Sequence, residues 1–132
     1  MANKVKPVFL FILILSLGAC ISPPVHSSSA AYNQYSFDEI WTATLHALHD
    51  IDFFPYAIDR RAGVIAAEAG HSFLLYDMPP QISLVISRAY GKTYVDCKVS
   101  QLDNYVDVFR LNKRVTRKFY SALSGRLRQI GE

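Results

Sequence analysis

Residues 81–100 read as two strands folded back on each other, and this pair limits the possible folds more than any other stretch. Ile82, Leu84 and Ile86 alternate with Ser83, Val85 and Ser87. The chain then turns from Ala89 to Lys92 through Gly91. From Thr93 to Leu102 it returns, with Val95, Cys97 and Val99 alternating with Tyr94, Asp96, Lys98 and Ser100. Successive side chains of a strand point to opposite faces, so both segments present one apolar face and one mixed face. That pattern predicts an antiparallel sheet covered on one side only.

The flanking segments supply the cover. Ser36 and Glu39 have capping-box spacing, in which each side chain answers the other's backbone N–H. Phe37, Trp41, Leu45 and Leu48 then share a helix face, flanked by Ile40, Thr44 and Ile51, while His46 points away. The helix is expected to stop between Asp50 and Asp52, because Phe53-Phe54-Pro55-Tyr56 cannot continue it. Phe53 to Ile58 reads as a strand with Pro55 at a permissive or edge position. Asp59-Arg60-Arg61-Ala62-Gly63 reads as a turn, and Val64 to Ala69 as the returning strand. Ser72 to Tyr76 could add a short strand that Met78-Pro79-Pro80 ends.

Near the C-terminus, Leu111, Val115, Phe119, Ala122, Leu123, Leu127 and Ile130 recur at helical spacing. Asp103, Asn104 or Asp107 is the expected cap. Gly125 within this helix either costs stability, about 1 kcal/mol against Ala, or permits close packing. The order helix, strands, helix predicts an α+β fold. It is an antiparallel sheet of four or five strands, with the N-terminal and C-terminal helices on one face.

The first twenty residues concern location rather than fold. Lys4 and Lys6 precede an apolar run from Val8 to Leu17, and Ser16, Gly18 and Ala19 supply small residues before Cys20. A positive start, an apolar middle and small residues at the cut make a secretory signal. The apolar run falls short of the ~20 residues of a transmembrane helix. Leu17-Gly18-Ala19-Cys20 resembles the lipobox of bacterial lipoproteins. The resemblance implies diacylglycerol transfer to the Cys20 sulfur, cleavage before Cys20, and N-acylation in many bacteria. Ile21 and Ser22 follow Cys20, where Asp commonly retains a lipoprotein in the inner membrane. That family rule implies the outer membrane, facing the periplasm, with the periplasmic face of the inner membrane as the alternative.

This division assigns residues 1–19 to a signal peptide, 20–35 to the lipidated cysteine and a flexible tether, and 36–132 to one α+β domain. The tether reading rests on Ser22, Pro23, Pro24, Ser27, Ser28 and Ser29, which offer little to bury. The element order of the domain is similar to small α+β domains of bacterial envelope lipoproteins. Among these are the helix-grip domains of the C lipoprotein of the β-barrel assembly machinery. The similarity lies in element order, without a matched motif, and implies no functional residue.

The charge balance shifts once the signal is set aside. Lys4 and Lys6 are two of fourteen Lys and Arg, and the rest nearly balance eleven Asp and Glu. Near-zero charge and an envelope location both exclude nucleic acid as a partner. The distribution is uneven: Arg110, Lys113, Arg114, Arg117, Lys118, Arg126 and Arg128 lie on the last helix, with no acid before Glu132. Arg110, Lys113, Arg114 and Arg117 recur at i, i+3, i+4 and i+7 and are candidate contacts for anionic headgroups or an acidic partner. The simpler reading is a solvated helix face, with cations also favoured near the helix C-terminus by the macrodipole.

No set of residues assembles a catalytic motif. A nucleophile elbow, a zinc-protease signature and a phosphate-binding loop are all absent. His46 and His49 lie one turn apart, with Asp50 one turn after His46, but zinc takes three or four protein ligands and nothing places His71 near them. Neither a metal nor a cofactor is expected beyond the covalent lipid on Cys20. With Cys20 acylated, Cys97 has no partner, and its place among Val95 and Val99 reads as a small buried hydrophobe.

The outward sheet face is the remaining candidate, with Tyr94, Asp96 and Lys98 as its proposed docking residues beside Ser83, Val85, Ser87 and Ser100. The strand from Phe53 to Ile58 could alternatively accept a partner strand. The expected function is therefore a non-enzymatic outer-membrane lipoprotein whose domain makes protein contacts in the cell envelope. The alternative is a module that binds a small molecule or anionic lipid between sheet and helices, guided by the basic helix.

Overall fold

The computed structural model describes residues 25–70, 79–100 and 110–132. Its elements are β1 (Val25–Tyr32), α1 (Phe37–Asp50), β2 (Phe53–Asp59), β3 (Val64–Ala69), β4 (Gln81–Ala89), β5 (Lys92–Ser100) and α2 (Leu111–Ile130). The five strands form one sheet in the order β1-β5-β4-β3-β2, and every neighbouring pair is antiparallel. This is the α+β arrangement expected from the sequence, with β1, ahead of the first helix, as the fifth strand.

The β4–β5 register pairs Leu84 with Cys97 and Ile86 with Val95. Both strands therefore turn their apolar sets to the same side. Ile65 and Ala67 of β3 join them there. The helices close over this face with Ile40, Trp41, Ala43, Ala47 and Leu48 from α1, and Leu111, Val115, Phe119, Leu123 and Leu127 from α2. The two-residue turn at Tyr90 and Gly91 has φ of 53° and 73°. Two left-handed residues match the twist of the flanking strands, which is why a two-residue hairpin needs them.

α1 begins as the capping box prescribes. The Glu39 N–H donates to Ser36 Oγ at 3.2 Å, and the Ser36 N–H donates to Glu39 Oε2 at 2.8 Å. Its buried stripe runs along Ile40, Ala43, Thr44, Ala47 and Leu48, whereas Phe37, Leu45 and Ile51 lie at the margin, partly buried. The alanines carry little weight in an apolar count. Their small side chains nevertheless let the helix axis approach the sheet, so they set the line of contact.

Residues 25–32 depart most from the sequence reading. In place of the flexible tether expected there, they form β1, paired with β5 from Val25↔Ser100 to Tyr32↔Thr93. Ser and Ala give β1 almost no hydrophobic signal. Its order comes from the backbone ladder to β5, since unpaired N–H and C=O groups of a sheet edge accept another strand. Tyr120 of α2 adds a clasp: its hydroxyl reaches the carbonyls of Ser28 at 3.1 Å and Val95 at 2.9 Å.

β2 is the opposite edge, as Pro55 implied. The register slips between Pro55 and Ala57, so Tyr56 is the extra residue of a bulge. α2 starts at Leu111 behind Arg110, which has φ 50° and makes no side-chain cap. The helix thus begins later than a cap at Asp103, Asn104 or Asp107 would place it. Those three residues, like the candidate strand Ser72–Tyr76, lie outside the described residues.

Candidate docking face and basic helix

Both helices cover one side of the sheet, so the strand residues of odd phase in β4 and even phase in β5 face out. The registers place them in rows. Lys98 lies between Ser27 of β1 and Ser83 of β4, Asp96 between Ser29 and Val85, and Tyr94 between Ala31 and Ser87. Asp96 and Lys98 are exposed and Tyr94 is half-buried. Small side chains on both flanking strands leave an open trough of about 410 Å³, lined by Ser27, Ser29, Ser83, Val85, Asp96 and Lys98. The serines read as a tether are therefore one wall of this face. Nothing in their own pattern shows it, because the wall exists only once β1 has paired with β5.

The other side of the sheet is packed. Phe119, Leu123, Ile65, Leu84, Val95 and Val99 are all wholly buried between sheet and helices. Cys97 belongs to this layer, with its thiol pushed up to about 12 by burial, partly offset by Thr116 of α2. A thiolate is the reactive form, so a thiol held neutral in the core is chemically quiet. The Tyr120 hydroxyl is likewise pushed up to about 12 by burial.

The histidine pair does not converge with Asp50 on a common point. His46 and His49 are exposed, and the His49 ring stands edge-on to Phe54 with centroids 6.3 Å apart. The Asp50 carboxylate instead accepts two bonds from Arg126, at 2.7 and 2.6 Å. This bidentate pair ties the end of α1 to α2 and holds the Asp50 carboxyl below its ordinary value. His71 lies outside the described residues.

Arg126 is thereby removed from the free basic stripe. Lys113, Arg114, Arg117 and Lys118 remain exposed, and Arg110 is exposed immediately before them. The first turn of α2 holds no acid. Cations there oppose the positive end of the helix dipole, a cost that nothing within the helix offsets. The ion pairs among the described residues, Arg60 with Asp38 and Arg126 with Asp50, leave these five cations out. β2 also shows Phe54, Tyr56 and Ile58 to solvent, with a proline and a bulge between them. Both features obstruct strand addition at that edge. Among the described residues, no helix is long and apolar enough to cross a membrane.

No protein-family model and no curated protein matches the chain. Solved structures do. The crystal structure of Ara h 8.0201 aligns with a TM-score of 0.55 at 12% identity, over 80% of this chain and 99% of that one. The crystal structure of TTHA0849 from Thermus thermophilus aligns with a TM-score of 0.45 at 10% identity, over 83% of this chain and all of that one. At such identity the first likeness concerns architecture alone: an antiparallel sheet gripping a long C-terminal helix, the helix-grip fold.

Proposed function

We propose that this chain is a bacterial lipoprotein, cleaved before Cys20 and acylated on its sulfur. Its non-enzymatic domain faces the periplasm at the outer membrane and docks an envelope protein on the outward sheet face. The observation that carries the docking reading is the row Tyr94, Asp96 and Lys98, left uncovered because both helices pack on the other side. A tyrosine and a pair of opposite charges above a small-residue trough combine apolar contact with charge register. The lipobox supports the anchor. Two or more acyl chains hold a protein stably, at ~0.8 kcal/mol per buried CH₂. Wholly buried side chains between sheet and helices favour this reading over a ligand cavity there.

The test is a photoreactive residue placed at position 98 in intact cells, with one at Arg61, in the β2–β3 turn, for comparison. A discrete protein adduct from position 98, absent from position 61 and lost on Val85→Arg, is the expected result. Equal labelling from both positions, or no adduct from 94, 96 and 98, removes the docking reading. Fatty-acid incorporation that disappears in Cys20→Ala checks the anchor separately.

A further inference from the structure

We infer that the basic first half of α2 rests on the anionic headgroups of the same bilayer that holds the anchor, so that the domain lies against the membrane rather than standing off it. This inference rests on acylation at Cys20.

Three contacts orient α2. Thr116 lies against Cys97, Tyr120 reaches Val95 and Ser28, and Gly131 lies near the Tyr35 hydroxyl. Moving toward the C-terminus of α2 therefore means moving toward the start of β5 and the end of β1. Leu111 and Arg110 precede Thr116 by five and six residues, about 7.5–9 Å along the helix, which is close to three strand residues. Leu111 and Arg110 thus come level with the end of β5 at Ser100, which pairs with Val25. The cationic start of α2 and the entry of the chain into the fold share one end of the molecule.

That entry is close to the anchor. From Cys20 to Val25 the chain can span at most about 18 Å, even fully extended. The tether expected from the sequence is about three times as long in residues, and β1 takes up half of it. An acylated Cys20 therefore keeps the Val25 end of the domain within about 18 Å of the anchored sulfur. There the chain presents Arg110, Lys113, Arg114, Arg117 and Lys118, none of them in an ion pair among the described residues. The preceding stretch, residues 101–109, contributes only Asp103 and Asp107 in opposition, so the cations remain in excess. A surface rich in phosphate supplies the counter-charge that the helix start lacks. An acidic protein could match the charge. Only the bilayer, however, is necessarily within reach of residues tied this closely to an acyl anchor.

Four lysines read the contact directly. The full lipidated protein is reconstituted into vesicles of phosphatidylethanolamine with phosphatidylglycerol, or of phosphatidylcholine alone, and each lysine's rate of acylation by an amine reagent is followed by mass spectrometry. Lys113 and Lys118 should react several-fold more slowly on the anionic vesicles, with the difference lost at high salt. Lys92, at the far end of β5, and Lys98, on the outward sheet face, should react alike on both. In Lys113→Glu/Arg117→Glu the protection of Lys118 should fall. Protein that carries lipid and floats with both vesicles, yet shows equal rates at all four lysines, overturns the contact and leaves the anchor standing. Protein without lipid on Cys20 overturns both. Protection of Lys113 and Lys118 in cells but not on anionic vesicles overturns the bilayer contact and assigns the helix to an acidic protein instead.

Discussion

Two glycines show how differently one residue type is used here. Gly63 has φ 74°, and a Cβ there would sit 2.1 Å from the Ile86 carbonyl oxygen. Its own carbonyl accepts from the Ile86 N–H at 2.7 Å, so the β2–β3 turn is pressed directly onto β4. Gly125 is helical, and a methyl added there would meet nothing within 4 Å. Of the two readings its sequence allowed, close packing is therefore not the one realised. Gly125→Ala should raise unfolding stability by about 1 kcal/mol. Gly63→Ala should lower it by more than about 1 kcal/mol, since both its conformation and its contact forbid a methyl. Urea unfolding of the two variants checks both signs. The two positions are indistinguishable in sequence except by setting: one in a turn, one in a helix. The carbonyl over Gly63 comes from a strand more than twenty residues away.

Among the elements, α1 is the most legible, because a capping box is local chemistry. Ser36→Ala should cost about 1 kcal/mol by leaving the Glu39 N–H without its acceptor, measurable as a lower urea midpoint at unchanged slope. The end of α1 is held by tertiary contact instead. The Arg126 guanidinium keeps the Asp50 carboxyl below its unfolded value near 3.8. A carboxyl depressed in the folded state contributes stability above its unfolded value and loses it as pH falls through the folded one. Asp50→Asn should therefore narrow the stability difference between pH 7 and the acid range, as urea titrations at a series of pH values would show. The partial exposure of the pair keeps the effect modest. No helical periodicity reveals this ion pair, since its members are 76 residues apart. The start of α2 escapes a local reading for a related reason. Good capping residues precede it, yet the helix begins at Leu111 after a left-handed Arg110.

Across the whole molecule, β1 decides where the folded domain begins. If residues 20–35 were only a tether, a chain starting at residue 33 would fold as well as one starting at residue 21. We expect instead that the shorter chain loses cooperative thermal unfolding by circular dichroism, because β5 loses one of its two ladder partners and Tyr120 the Ser28 carbonyl. Alternation along β4 and β5, the capping box and the apolar spacing of α2 each report a neighbour a few residues off. They were enough to determine an α+β fold with one covered sheet face, and to place Cys97 in the core. The sequence alone also carries the whole case for the lipobox at Cys20. Only the tertiary structure decided that Ser27 and Ser29 wall the outward trough, that Arg126 is spent on Asp50, and that the basic start of α2 shares an end with Val25. Side-chain hydrophobicity records burial, and therefore announces the elements that make the core. A polar edge strand is held by backbone hydrogen bonds common to every residue, so β1 became visible only when its partner was in place.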